Sequence, residues 1–361
     1  MTPQMTLEQT LKRIGEPDAG AREKARHRLE RLTMPHWALG RILDLAEQLC
    51  AISGKIPPPV ARRTLVIMAG DHGVAEEGVT LYPQEVTAQM IANFVAGGAG
   101  ANALAKVGKV QMQIVDLGVK ADLSELVRSG KVLDYRVAPG TANMATGPAM
   151  TRDQALQALQ TGILIAQGLA DENDILTAGE MGIANTTPAT AILCALAGVD
   201  PAQVTGAGTG LDDAGRRHKA DVIRKALACN QPDSKEPLDV LTKVGGLEIA
   251  GITGFYLGAA AARKVVVVDG FICSSAALLA QAFCPRCTQF MVAAHRSAEV
   301  GHGLMIDTLG LQPLLNLGFR LGEGTGACMA MPLFDAARSM LTDVATFEEA
   351  SVSDKDAVPV K

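Results

Sequence analysis

A lone carboxylate, Glu323, stands between glycines in LGEGTGACMA (Leu321–Ala330), directly before an apolar run. Such a residue is either a surface charge on a turn or a carboxylate set against a ligand by a tightly bent chain. The stretch by itself does not decide between the two. A second carboxylate, Glu180, ends the run DILTAGE and is followed by MGIANTTPATAI. Thr186 or Thr187 fits the N-cap of a helix there, with Pro188 in its first turn. That leaves Glu180, beside two glycines, without a structural reason. A third stretch, GAGTGLDDAGRRHKADVIRKAL (Gly206–Leu227), has glycines at 206, 208 and 210, a capping Asp212 or Asp213, and Lys219 about two turns into the helix. Glycines admit an anion close to the backbone, and a helix amino terminus points free N–H groups at it. A tight connection with a surface lysine is the other reading, because the spacing is neither G-x-G-x-x-G nor a Walker A loop.

Other constellations carry less. His295 and His302, seven apart, read as capping or hydrogen-bonding residues and not as a ligand pair. No H-E-x-x-H and no G-x-S-x-G occurs. Cys284 and Cys287 form the one C-x-x-C, CPRC, with no second pair nearby, which makes a poor zinc or redox site. Seven scattered cysteines point to reduced thiols. VAGGAGANAL reads as a break between two helices.

The elements that must position these residues follow from periodicity. Five apolar runs of strand length occur: Thr64–Gly70, Val110–Gly118, Asp174–Glu180, Lys264–Gly270 and Gln289–His295. Their lack of alternation predicts strands covered on both faces, hence an α/β fold on an open parallel sheet with right-handed crossovers. Each run passes into a polar residue: Asp71-His72, Asp116, Glu180, Asp269 and His295-Arg296. Ligands of open α/β sheets bind at the carboxyl ends of the strands, so five such ends predict a site there. Before the first run the chain reads as helices. One is capped by Asp18 and another starts at Pro35, until KIPPPVAR breaks the chain. A helix is expected from about Pro83. The expected divisions are residues 1–58 (helical), 59–335 (α/β, catalytic) and 336–361 (a helix end and a disordered tail, EEASVSDKDAVPVK).

Composition narrows the function. A net charge of −5 gives no footprint for nucleic acid. The basic cluster Arg22–Arg31 is interleaved with acids and reads as a solvated helix face. The longest apolar stretch, Gly246–Ala262, contains Glu248 and four glycines and reads as a buried helix, not a membrane span. No amino-terminal signal pattern is present, so a cytoplasmic location is expected.

Taken together, several blocks resemble the nicotinate-nucleotide–dimethylbenzimidazole phosphoribosyltransferase family of cobalamin biosynthesis. They are AGDHGVAEEGVT, YPQEVTAQM, GEMGIANTTPATA, GAGTGLDD, VGGLEIAG, VVVDGFI, AHRSAEVGH and LGEGTGA, in family order over about residues 60–340. The resemblance implies a Rossmann-like sheet with a smaller helical domain from both chain ends, working as a homodimer. It implies transfer of the phosphoribosyl group of nicotinate mononucleotide to 5,6-dimethylbenzimidazole, giving α-ribazole 5′-phosphate and nicotinate, without a metal or cofactor. By motif, Glu323 looks like the general base and Glu180 like the second carboxylate at the base pocket. Thr80, Gln89, Met181 and Leu321 look like its wall. Lys219, Ser297, Gly182 and Gly208 look like the phosphate and ribose site.

Four positions depart from the family pattern: Thr80 for serine, Ala184 for glycine, Val300 for proline, and Phe319 where a smaller or unbranched residue is common. They leave another benzimidazole, a purine or a phenol open as the accepted base. Two rivals remain. A nicotinamide-dependent oxidoreductase would need G-x-G-x-x-G after the first strand, which MAGDHG does not supply. A non-catalytic subunit would be favoured by loss of Glu323 or Lys219, and both are present.

Overall fold

The computed structural model describes residues 5–353. Six strands form one sheet: β1 (Arg63–Gly70), β2 (Gln111–Gly118), β3 (Leu133–Asp134), β4 (Ile175–Met181), β5 (Val265–Val268) and β6 (Met291–Ala293). Every pairing is parallel, in the order β3-β2-β1-β4-β5-β6. The five expected runs are all strands. β3 is the addition: two exposed residues with no apolar run to announce them. β1 and β4 are buried along their whole length, which is why their sequences do not alternate.

Fifteen helices surround the sheet among the described residues. Three precede it: α1 (Leu7–Arg13), α2 (Ala19–Leu29) and α3 (Arg41–Ser53). Between β1 and β4 lie α4 (Val86–Ala96), α5 (Gly100–Gly108), α6 (Ser124–Arg128) and α7 (Arg152–Ala170). Between β4 and β5 come α8 (Thr186–Ala197), α9 (Pro201–Val204), α10 (Asp213–Asn230), α11 (Pro237–Val244) and α12 (Leu247–Ala261). Last are α13 (Phe271–Phe283), α14 (His302–Leu309) and α15 (Thr325–Thr342). Every residue of α12 is buried, against α7 and beneath the sheet. Among the described residues no helix is long and apolar enough to cross a membrane.

Local chemistry sets several boundaries. Asp18 caps α2 through the Ala21 N–H, and Asp212 caps α10 through the Gly215 N–H. VAGGAG is a break, between α4 and α5. The helix expected at Pro35 begins at Arg41, because Trp37 (φ 53) and Gly40 (φ 42) have positive φ and interrupt it. The helix expected at Pro83 begins at Val86; Pro83 opens a preceding turn in which its carbonyl accepts from the Val86 N–H. The basic face of α2 is not simply solvated. Arg26 pairs with Glu47 of α3, Arg28 with Glu349, and Arg31 with Glu348. Glu348 and Glu349, in the stretch expected to be disordered, are thus tied to Arg31 and Arg28, and residues 350–352 turn back onto 346–348; the rest of that expected tail, 354–361, lies outside the described residues.

Candidate functional site

The strand order reverses between β1 and β4, and a parallel sheet leaves its crevice at that point, above the carboxyl ends. A cavity of about 450 Å³ opens there. Its walls are the segment from Glu180 to Thr186 after β4, Gly270–Ile272 after β5, and His295, Ser297 and Glu299 after β6. Thr80, Tyr82, Val86 and Met90 close one side, and Gly208, Thr209 and Arg320–Glu323 another. The chain after β6 doubles back on itself: the Arg296 N–H donates to the Leu315 carbonyl (2.7 Å) and the Ala298 N–H to that of Phe319 (2.9 Å). This brings the Glu323 turn beside Ser297.

At one end of the cavity, Gly322 (φ 85), Glu323 (φ 62) and Gly324 (φ 80) form a left-handed turn. A residue with a Cβ costs roughly 1–2 kcal/mol in that conformation, so neighbours must hold Glu323 there. Asp269, at the end of β5, does so from below. Its carboxylate accepts from the Gly324 N–H (3.1 Å) and the Ala327 N–H (2.8 Å), replacing the side-chain cap that Gly324 lacks at the start of α15. Glu180 Oε1 accepts from the Glu323 N–H at 3.2 Å. Gly179 lets the turn lie on β4, since a Cβ there would meet the Glu323 carbonyl oxygen at 2.6 Å. The outcome is a buried Glu323 whose Oε2 has no hydrogen-bond partner.

Burial sets the charge states at this end. Glu180 is pushed up to about 8 by loss of water, which outweighs the hydrogen bonds from the Glu323 amide and Asn185 Nδ2. The shift favours its protonated, neutral form. Glu323 is raised too, by burial and the nearby Asp269, with the Ala101 amide of α5 opposing.

At the other end a cation is buried. Lys219 is 1% exposed, and its Nζ donates to Thr186 Oγ1 at 2.5 Å. Burial lowers its pKa to about 8, with the Glu299 charge working the other way. Gly208 lies over it: a Cβ there would be 3.2 Å from Nζ. Ser297 is fixed by His302. The Ser297 N–H donates to His302 Nδ1 at 2.9 Å, so the ring's proton sits on Nε2 and faces Ser274 Oγ at 3.0 Å. Burial lowers the His302 pKa to about 3, which keeps this neutral tautomer. Deeper still, His72 Nε2 meets Glu248 Oε1 at 2.7 Å, both fully enclosed. Among the described residues no group of three or more His, Cys, Asp or Glu is placed to hold a metal ion. Cys284 and Cys287 are buried and unbridged.

The structure brings together most of the residues singled out by motif. Glu180, Glu323, Thr80, Met181, Gly182, Gly208, Ser297 and Leu321 line the cavity, and Lys219 stands behind Thr186. Gln89 does not: it is exposed, while Val86 and Met90, on either side of it along α4, face the cavity. The helical period turns position 89 outward. The N-cap of α8 is neither Thr186 nor Thr187 but Asn185, whose side chain binds Glu180 instead of the helix end. Thr186 is thereby free to receive Lys219. Asp269 and Asn185 were not among the site residues read from sequence. The charge ending VVVVDG was the available signal for the first. For the second, it was the polar run after Glu180.

Residues 14–352 match the Phosphoribosyltransferase family. The chain is 56% identical over 347 residues to the nicotinate-nucleotide–dimethylbenzimidazole phosphoribosyltransferase of Syntrophotalea carbinolica, covering 96% of this chain and 98% of that protein. Its likeness to the protein of the same name from Desulfotalea psychrophila is 47% over 348 residues, with the same coverage. The crystal structure of the enzyme of that name from Thermus thermophilus superposes with a TM-score of 0.88 at 42% identity, over 93% of this chain and 99% of that one. The chain is an enzyme that transfers a pentosyl group and belongs to the nicotinate-nucleotide–dimethylbenzimidazole phosphoribosyltransferase family.

Proposed function

We propose that the enzyme transfers the phosphoribosyl group of nicotinate mononucleotide to 5,6-dimethylbenzimidazole or a closely related base, with Glu323 as general base. The carrying observation is the difference between the two glutamates. Glu180 spends both oxygens accepting from the Glu323 amide and Asn185 Nδ2, and burial pushes its pKa up to about 8. Glu323 lines the cavity, its Oε2 is buried without a partner, and no other side chain among the described residues donates to its carboxylate. Environments that separate two carboxyl groups in this way assign the proton-accepting role to the second.

A ring nitrogen of the incoming base attacks C1′ with its lone pair. The C1′–N bond to the pyridinium breaks, and its electrons return to the pyridine nitrogen, so nicotinate leaves without needing a proton. The N–H proton of the new benzimidazolium passes to Glu323. Attack opposite the leaving group inverts C1′ and gives the α linkage. The same carboxylate steadies positive charge developing on the attacking ring and the ribose. Lys219, Thr186 and Ser297 hold the 5′-phosphate end. Helices α2 and α3, packed on α15, are proposed as the smaller helical domain. α15 is continuous across residues 335 and 336, so that domain shares a helix with the α/β part. The reading carries with it a homodimer, which sedimentation tests, and a cytoplasmic enzyme.

The test is nicotinate release by purified protein with a panel of bases, beside Glu323→Gln. Turnover with dimethylbenzimidazole, falling about 10²- to 10⁴-fold in the variant, is the expected result. Undiminished turnover in the variant would remove Glu323 from the mechanism. Preference for a purine or phenol would leave the mechanism and change the accepted base.

A further inference from the structure

Glu299 has no role in the scheme above, yet its setting asks for one. It is 9% exposed and borders the cavity. Its carboxylate lies directly against Gly206, where a Cβ would overlap it. Among the described residues neither of its side-chain oxygens accepts a hydrogen bond, and no cation stands within 4.0 Å of it; its one hydrogen bond near the cavity is from its backbone N–H to Ser297 Oγ, at 3.3 Å. Lys219 is near enough to feel its charge but donates its hydrogen bond to Thr186 Oγ1. With no protein donor of its own, this cavity-lining carboxylate is open to a hydrogen-bond donor on a ligand in the cavity.

Elimination on the substrate's atoms says what donates. This step rests on the nucleotide substrate proposed above. The phosphate of nicotinate mononucleotide and its ring carboxylate are anionic acceptors and repel a carboxylate. The N–H of the accepting base belongs at Glu323. The remaining donors on either substrate are the ribose hydroxyls. Glu299 follows Ser297 by two residues and faces the Gly206–Gly208 strip, between the phosphate end and C1′. We propose that Glu299 is the ribose-recognition residue, accepting a hydrogen bond from the 2′- or 3′-hydroxyl and thereby selecting ribonucleotide over deoxyribonucleotide.

A cycle of binding constants tests this. Calorimetric Kd values are taken for nicotinate mononucleotide and its 2′-deoxy and 3′-deoxy forms, on the unmodified protein, Glu299→Ala and Glu299→Gln. The alanine variant should bind the ribonucleotide roughly 10- to 100-fold more weakly, and glutamine should restore part of that. For one deoxy form the loss should shrink to less than about threefold. Equal losses for all three nucleotides would overturn the proposal and make Glu299 a counter-charge for Lys219. Tighter binding by Glu299→Ala would make it a phosphate-repelling group and overturn it too. The isosteric Glu299→Gln supplies the cycle if the alanine variant fails to fold. Absence of any nucleotide binding by the unmodified protein would instead sink this inference together with the substrate reading beneath it.

Discussion

The two ends of the cavity face the same problem with opposite charges. At the Glu180–Glu323 end, burial drives an acid up to about 8; at the Lys219 end it drives a base down to about 8. The protein resolves them differently. The acid end is crowded with fixed partners: an amide, Asn185 and the Asp269 clamp under α15. Its cost appears as backbone strain at Glu323 and at Ala184 (φ 76). The lysine end has Thr186 alone within hydrogen-bond reach. One end is preorganised to receive a proton, and the other waits for an anion to complete it.

The largest effect that breaks this contrast is on binding. Lys219→Met should weaken nicotinate mononucleotide by roughly 10- to 100-fold, the worth of a charged hydrogen bond, without lowering the melting temperature, since a desolvated charge is replaced by an apolar chain. Calorimetry and thermal melts read both. A lowered melting temperature would mean that Lys219 supports the fold and not only the ligand.

The next test sharpens the symmetry through pH. Glu180 has a folded pKa above its unfolded one. Its contribution to stability is full below about 4.5 and is lost as pH rises to about 8. Lys219 has a folded pKa below its unfolded one, so its penalty lifts as pH rises from about 8 to 10.5. Each slope is about 1.4 kcal/mol per pH unit at most. The two groups together therefore place a minimum in stability near pH 8. The difference between the denaturation profiles of the unmodified protein and Glu180→Gln should contain the falling limb, and the difference with Lys219→Met the rising one. Flat differences would show that neither group is as buried in solution as described.

The smallest effect concerns strain. Ala184 holds a left-handed conformation in which glycine is at ease, so Ala184→Gly should stabilise by about 0.5–1 kcal/mol. Chemical denaturation measures it. A loss of stability would mean that the buried Ala184 methyl contributes more by packing than it costs in strain.

These residues also divide what sequence could and could not convey. Glu180 and Asp269 end apolar runs, and a parallel sheet puts such ends on one edge, so their shared location was readable. The blocks around Glu323 and Lys219 were distinctive enough to carry the family. The strand order was not readable, because crossover helices say nothing of which neighbour the next strand joins. Gln89 and Met90 differ by one helical step, and motif similarity does not resolve which way each faces. Asn185 sits in a run where two threonines look like better caps; its commitment to Glu180 is a tertiary contact. The start of α3 was misplaced because the positive φ of Trp37 has no signature of its own. β3 is too short for a period.

The most direct test of the central claim removes the carboxylate without disturbing the turn. In Glu323→Gly, all three residues of the left-handed turn are glycine, so the backbone should hold at no cost or a small gain. Nicotinate release is then followed with rising formate, a carboxylate small enough for the vacated space. If Glu323 is the base, the variant is inactive alone and regains turnover in proportion to formate, while the unmodified enzyme ignores it. Unimpaired turnover by Glu323→Gly without formate would contradict the account.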